Sequence, residues 1–131
     1  MTIEYHIDPD EGYVLERGYG KATVEDFAEL VRRIAADPAY RPGMPKLCDF
    51  RQLEFDLPVD EIEQIYSTMQ ELAEDFGDSR IAIVPAGDLE FGLARMFGMI
   101  SSQARFETQV FRDMERARAW LGLRNEIPDR A

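Results

Sequence analysis

The sequence predicts a single α/β domain in which a largely parallel sheet of about five strands is covered by about four helices. The chain has 131 residues, 45% of them hydrophobic and 31% charged, which is the length and composition of one globular domain. Short apolar or alternating segments take turns with longer segments of helical periodicity. Their order, β-β-α-β-α-β-α-β-α, indicates right-handed crossovers and one antiparallel hairpin at the sheet edge.

The chain is predicted to begin with this hairpin. Ile3, Tyr5 and Ile7 alternate with polar residues, as in a half-buried strand. Residues 8–12 contain Pro and Gly and form a turn cluster. The second strand of the hairpin is predicted over residues 13–17.

A capped helix is predicted to start after Thr23. The Thr23 hydroxyl can bond free backbone N–H groups, and Asp26 stands three residues later, as in a capping box. Asp37 and Pro38 end the helix. A loop rich in proline and glycine leads to an apolar segment at residues 46–50, which is typical of a central strand. The helix carries an apolar stripe made of Val24, Phe27, Ala28, Val31, Ile34 and Ala35.

Two further helices and a strand are predicted in the middle of the chain. Residues 58–76 keep helical spacing with acidic residues in the first turn, and Gly77 ends this helix. Residues 81–84 form a buried strand. Asp88 is predicted to cap a helix over residues 89–100 that is apolar nearly all round and contains two glycines. Because interior glycine costs about 1 kcal/mol relative to alanine, we expect another backbone or a ligand to approach this helix closely.

The chain ends with a predicted strand, helix and tail. The strand covers residues 108–111, and Asp113 is predicted to cap the final helix, which ends at Gly122. Residues 124–131 are predicted to form a polar C-terminal tail. The globular domain therefore covers residues 1–123.

Charge and cysteine content exclude several classes of function. Lys and Arg total 15 and Asp and Glu total 26, giving a formal net charge of −11, which argues against nucleic acid and anionic membranes as partners. No apolar run approaches the roughly 20 residues of a membrane span, and the first residues do not resemble a signal peptide. We therefore expect a cytoplasmic protein. Cys48 has no second cysteine to pair with, and we expect it to be a buried thiol.

The sequence predicts no catalytic residue, metal ligand set or cofactor. His6 is the single histidine and lies on the polar face of the first strand, where no nucleophile is brought to it. Residues 18–23 contain Gly and Lys but not the glycine and hydroxyl spacing of a phosphate-binding loop. The paired His and Cys spacing of a zinc site is missing as well. We expect a protein without enzymatic activity. An enzyme with a carboxylate-based active site is a third alternative, after the two functional hypotheses given below.

Four segments in order resemble the SpoIIAA-like family of small bacterial proteins, which is related to STAS domains. They are residues 46–51 (KLCDFR), 80–84 (RIAIV), 91–97 (FGLARMF) and 110–113 (VFRD), the last leading to residues 119–121 (AWL). The resemblance covers about residues 3–122. It implies a STAS-like α/β fold, also likened to the lipid-binding CRAL-TRIO fold. It also implies a regulatory binding module, such as an anti-sigma-factor antagonist, rather than an enzyme.

The phosphorylation switch of the sporulation-type antagonists is not carried over to this chain. In those proteins the strand matching residues 46–50 leads to a phosphorylatable serine at a helix start. Here Phe50, Arg51 and Gln52 follow, and no Ser or Thr occurs until Ser67. Asp49 and Arg51 match the strand-end Asp and Arg of the family, and they are interpreted either as a structural ion pair or as part of a site.

Two functional hypotheses follow. The first is a non-enzymatic regulatory or protein-binding module that forms a homodimer through residues 89–100, unless that helix is simply buried in the monomer. The alternative is a carrier for a small amphiphile or lipid-like ligand, with an apolar pocket under the same helix. In this alternative Arg95 and Arg51 bind an anionic head group. The candidate ligand-binding residues are Arg95, Arg51, Asp49, Phe91, Met96 and Met99.

Overall fold

A computed structural model describes residues 2–102 and 105–124. The strands are β1 (Ile3–Asp8), β2 (Tyr13–Gly18), β3 (Gly20–Lys21), β4 (Lys46–Phe50), β5 (Leu53–Glu54), β6 (Ser79–Pro85) and β7 (Phe106–Val110). The helices are α1 (Val24–Ala36), α2 (Val59–Glu71), α3 (Ala73–Phe76), α4 (Asp88–Ile100) and α5 (Met114–Leu121). No helix among these is both long enough and apolar enough to cross a membrane.

The main sheet has five strands in the order β1-β2-β4-β6-β7. β1 pairs with β2 in antiparallel orientation, and the other three pairings are parallel. This confirms the predicted mixed sheet with a hairpin at its edge. β3 and β5 form a separate parallel pair of two residues each, which is too short to leave a periodic signal in the sequence.

Helices cover both faces of the sheet. Successive side chains of a strand point to opposite faces, so each central strand contributes to two cores. The larger core lies under α1, α2 and α4 and includes Val14, Cys48 and Ile81. The smaller core lies under α5 and includes Leu47 and Ala82.

The predicted capping residues of two helices are in place. The Asp26 N–H donates to Thr23 Oγ1 at 3.2 Å, and the Thr23 N–H donates to Asp26 Oδ2 at 2.8 Å, which completes the capping box of α1. Asp113 caps α5 by accepting a hydrogen bond from the Arg116 N–H at 2.8 Å. Gly122 ends α5 in a left-handed conformation, with φ at 77°.

The helix predicted over residues 58–76 is divided in two. α2 ends at Glu71, Leu72 leaves helical geometry, and α3 begins at Ala73. The division allows the end of α3 to bind the loop before β4: the Phe76 carbonyl accepts hydrogen bonds from the Gly43 N–H at 2.7 Å and from the Tyr40 hydroxyl at 3.1 Å. The periodicity of the sequence continues through Leu72, so it does not reveal this break.

Three other boundaries differ from the predictions. The N-cap of α4 is Gly87, and Asp88 lies in the first turn without a capping bond, where it pairs instead with Arg112 at 2.9 Å. The last strand is residues 106–110 rather than 108–111. Of the predicted tail, residues 125–131 lie outside the described residues.

The two glycines of α4 have different surroundings. A Cβ atom on Gly98 would lie 3.6 Å from the Thr108 carbonyl oxygen, which is an ordinary van der Waals contact with the β7 backbone. A Cβ atom on Gly92 would meet nothing within 4 Å. Both positions have room for a methyl group, so the expected close approach to α4 does not explain either glycine.

Candidate functional site

A cavity of about 100 Å³ lies between the main sheet and helices α1, α2 and α4. We call it the helix-side cavity. It is partly open to solvent, and its walls are aliphatic and aromatic side chains from all three helices, from strands β4 and β6, and from the segment after β5. The wall residues are Phe27, Leu30, Val31, Ile34, Phe50, Phe55, Leu57, Ile62, Ile65, Met69, Ile81, Ile83, Leu93, Ala94 and Phe97.

Three polar side chains of the sheet form the floor of this cavity. Glu16 on β2 and Lys46 and Cys48 on β4 all line it. Glu16 stands directly opposite Cys48 in the parallel register, and Lys46 is two residues before Cys48, so the three side chains share one face of the sheet. Glu16 is 6% exposed, Lys46 3% and Cys48 4%. A charged side chain this deeply buried normally requires a partner.

Glu16 and Cys48 are in direct contact. The Cys48 thiol donates to Glu16 Oε1 at 3.3 Å. Burial raises the pKa of Glu16, and the positive charge of Lys46 opposes only part of this effect. Burial, together with the Glu16 carboxylate, raises the pKa of the Cys48 thiol well above its usual value. The thiol therefore stays protonated and is a poor nucleophile, which agrees with the expectation of a buried thiol.

Lys46 is the least satisfied group of the floor. Its Nζ atom lies 3.8 Å from the centre of the Phe76 ring and 5.1 Å from that of Tyr40. These rings attract a cation through their π faces. Within residues 2–102 and 105–124, however, Nζ has no hydrogen-bond partner. Burial lowers the pKa of Lys46 to about 8, against the opposing effect of Glu16. At neutral pH the ammonium is thus mostly charged, with unused donors.

The structure places two of the six candidate residues at the carboxyl end of β4. Arg51 Nε and Nη2 donate to the two oxygens of Asp49 at 2.8 and 2.9 Å. Burial raises the pKa of Asp49, but these bonds outweigh it and hold the pKa below its usual value. Both side chains line a polar cleft of about 220 Å³ with Arg17, Tyr19 and Gln52. This geometry matches the interpretation of Asp49 and Arg51 as a structural ion pair.

Three other candidate residues lie on the outer side of α4, away from the helix-side cavity. Phe91, Arg95 and Met99 line a shallow groove beside β7, and the Arg112 guanidinium stacks on the Phe91 ring at 3.8 Å. Met96 is half-buried and packs against the larger core. The six candidates are therefore not brought together, and none of them lines the helix-side cavity.

The sequence analysis missed Glu16 and Lys46. The signal was present, since both are charged residues that share a face of their strand with the core residues Val14 and Cys48. Reading it required the register between β2 and β4, which is set by pairing of residues far apart in the sequence. The cavity itself does lie under α4, because Leu93, Ala94 and Phe97 belong to its wall.

Metal binding finds no support in the described residues. Across residues 2–102 and 105–124, no group of three or more His, Cys, Asp and Glu side chains is arranged to hold a metal ion. His6 is exposed on β1, on the polar face that its alternation predicts.

Comparison with known proteins identifies the fold. No family model matches the sequence, and no curated protein matches it. The chain is similar to the crystal structure of an uncharacterized protein of the DUF3478 family from Shewanella loihica PV-4, with 22% identity, a TM-score of 0.59 and coverage of 91% of each chain. That protein is described as having a SpoIIAA-like fold. The likeness confirms the expected architecture, and the chain has a SpoIIAA-like fold.

Proposed function

We propose that this protein binds a small, largely apolar ligand in the helix-side cavity. The observation that supports the proposal is the cavity of about 100 Å³ with apolar walls. Protein interiors are normally packed as densely as organic crystals, with few voids larger than a water molecule. A concave apolar space with a few polar groups at one end is the usual form of a ligand site.

The size of the cavity limits the ligand. An engineered apolar cavity of roughly 150 Å³ takes up benzene, and the helix-side cavity is about 100 Å³. It therefore suits a short alkyl chain or one ring, and a longer chain would extend out of its open side. A whole phospholipid does not fit.

We expect the ligand to be held rather than converted. The nucleophile of the floor is the Cys48 thiol, and its raised pKa keeps it in the unreactive protonated form. The carboxyl group next to it accepts the thiol hydrogen bond without removing the proton. The proposed role is therefore the non-enzymatic one.

Titration with 1-hexanol, followed by NMR and calorimetry, tests the proposal. We expect chemical-shift changes at the residues of the cavity wall. Ala94→Leu places three extra carbons in the cavity, because Ala94 is 3% exposed and belongs to the wall. This change should weaken hexanol binding by about tenfold or more, or about 1.4 kcal/mol.

Ala119→Leu is the matched control, because Ala119 is an exposed residue of α5. It should bind hexanol as the wild type does. Shift changes confined to other surfaces, or undiminished binding by a folded Ala94→Leu variant, would refute the proposal. Native mass spectrometry of protein purified from cells is a separate measurement, which shows whether a small molecule is bound to the protein.

A second candidate role is a non-enzymatic regulatory or protein-binding module, which is the first hypothesis from the sequence. The outer side of α4 favours it, because Leu89 is 52% exposed and Met99 is 72% exposed. Homodimerisation through α4 is its specific form. Sedimentation velocity at micromolar concentration should then show a dimer that Met99→Glu dissociates. A wild-type monomer under these conditions would count against the homodimer.

A further inference from the structure

We propose that the ligand of the helix-side cavity is a small apolar monocarboxylic acid whose carboxyl group binds at the floor, between the Lys46 ammonium and the Glu16 carboxyl group. This inference rests on the proposed function, because it adds a head group to the ligand that the apolar walls hold. It also places the head group deep in the protein and the apolar tail towards the open side.

The first support is the unused hydrogen-bonding capacity of Lys46. The side chain is 3% exposed, and Nζ has no hydrogen-bond partner in the part of the chain that the structure describes. A buried ammonium without acceptors costs several kcal/mol. The rings of Tyr40 and Phe76 stabilise the charge on one side but offer no oxygen. Lys46 also lines the cavity. Its Nζ atom has almost no exposed surface, so the side chain must turn towards the cavity to meet an oxygen atom of a bound ligand, which is the acceptor that completes this site.

The second support is the position of Glu16. It lines the same cavity as Lys46, and its carboxyl group is not hydrogen-bonded to the ammonium. The thiol of Cys48 occupies Oε1, which leaves Oε2 for a further bond. Burial favours the neutral form of Glu16, and in that form Oε2 carries a proton to donate.

A carboxylate fits these two groups better than other head groups do. One of its oxygens can accept from the Lys46 ammonium and the other from the Glu16 hydroxyl, and its charge balances that of Lys46. An alcohol has a single oxygen and no charge. An amine would place a second cation beside Lys46, which low dielectric makes costly.

The arrangement predicts the direction of the pH dependence. The titratable groups facing Lys46 are Glu16, Cys48 and Tyr40. Burial raises the pKa of both the Cys48 thiol and the Tyr40 hydroxyl, so these two remain neutral. As the pH rises through about 8, Lys46 loses its proton, and this loss weakens the binding of a carboxylate. Ionisation of Glu16, whose pKa burial raises, acts in the same direction. Binding of an uncharged alcohol does not depend on either proton.

The experiment compares hexanoate with 1-hexanol by calorimetry on the full chain. At about pH 6.5 we expect the wild type to bind hexanoate more tightly than hexanol. Lys46→Met should weaken hexanoate binding by about tenfold or more, and by a clearly larger factor than it changes hexanol binding. Lys21→Met is the matched control, because Lys21 is an exposed residue of β3, and it should change neither affinity.

The outcomes separate the two proposals. Hexanol binding without tighter hexanoate binding, or equal hexanoate affinity in Lys46→Met and wild type, would overturn the carboxylate inference and leave the apolar site standing. Binding of neither compound would overturn both. If Lys46→Met does not fold, the wild type decides: hexanoate affinity should fall by about tenfold between about pH 6.5 and pH 9.5, with hexanol affinity constant. A flat hexanoate profile would refute the inference.

Discussion

Replacement of Lys46 by Met should make the stability of the protein respond differently to pH. The pKa of Lys46 is lowered from 10.5 to about 8, chiefly by burial. Between these values the unfolded chain binds the lysine proton and the folded chain does not. Stability rises with pH wherever the unfolded state binds more protons. Lys46 therefore lowers stability at neutral pH, and this penalty disappears as the pH rises from about 8 to 10.5.

The size of the effect follows from the same two values. A difference of one pKa unit corresponds to about 1.4 kcal/mol, so the lowering of the Lys46 pKa from 10.5 to about 8 corresponds to about 3 kcal/mol. The free energy of unfolding of the wild type, relative to that of Lys46→Met, should increase by this amount between about pH 7 and pH 11. Titration of Cys48 and Tyr40 also changes stability, but it occurs in both proteins and largely cancels in the difference.

Urea unfolding, followed by the fluorescence of Trp120, is a suitable assay because the chain has one tryptophan. Lys21→Met should keep a constant offset from the wild type, because Lys21 is exposed. The chain has no other lysine besides these two, so selective labelling also allows NMR to follow Lys46 directly. A difference between wild type and Lys46→Met that stays constant across this pH range would refute the burial of an unpaired ammonium.

Three further changes test other parts of the structure, each by urea unfolding. Gly92→Ala should stabilise the protein by about 0.5–1 kcal/mol, because a Cβ atom at this helical position meets nothing within 4 Å; a loss of stability would show a contact that the structure does not contain. Thr23→Ala removes one bond of the capping box and should cost about 1 kcal/mol, whereas no change would mean that the cap contributes nothing. Arg118→Met removes the more buried of the two arginines that pair with Glu11, together with the hydrogen bond from its Nε to the Arg124 carbonyl at 2.7 Å, and should cost about 2 kcal/mol; a cost no larger than that of Arg116→Met, an exposed arginine of the same helix, would contradict this.

Local signals in the sequence predicted most of the fold. The spacing of Thr23 and Asp26 predicted a helix start because the capping box involves only residues three apart. The position of β1 at the sheet edge followed from its short connection to β2. The break at Leu72 could not be predicted, since it depends on contacts between Phe76 and the distant Tyr40 and Gly43.

The candidate site was harder to predict than the fold. Arginines were chosen as head-group ligands because of their chemistry, but Arg51 pairs with its neighbour Asp49 and Arg95 lies on the outer groove of α4. The rotation of α4 about its axis decides which residues face inward, and the nearly continuous apolar sequence does not fix that rotation. Glu16 and Lys46 meet only through the pairing of β2 with β4.

The sheet acts as a partition between two independent interiors. Leu47 and Ala82 are fully buried on the α5 side, and the neighbouring Cys48 and Ile81 belong to the opposite interior. The side chains of the core under α5 therefore form no part of the wall of the helix-side cavity. Residues that line the helix-side cavity can be substituted to fit a different ligand while the core under α5 is left unchanged.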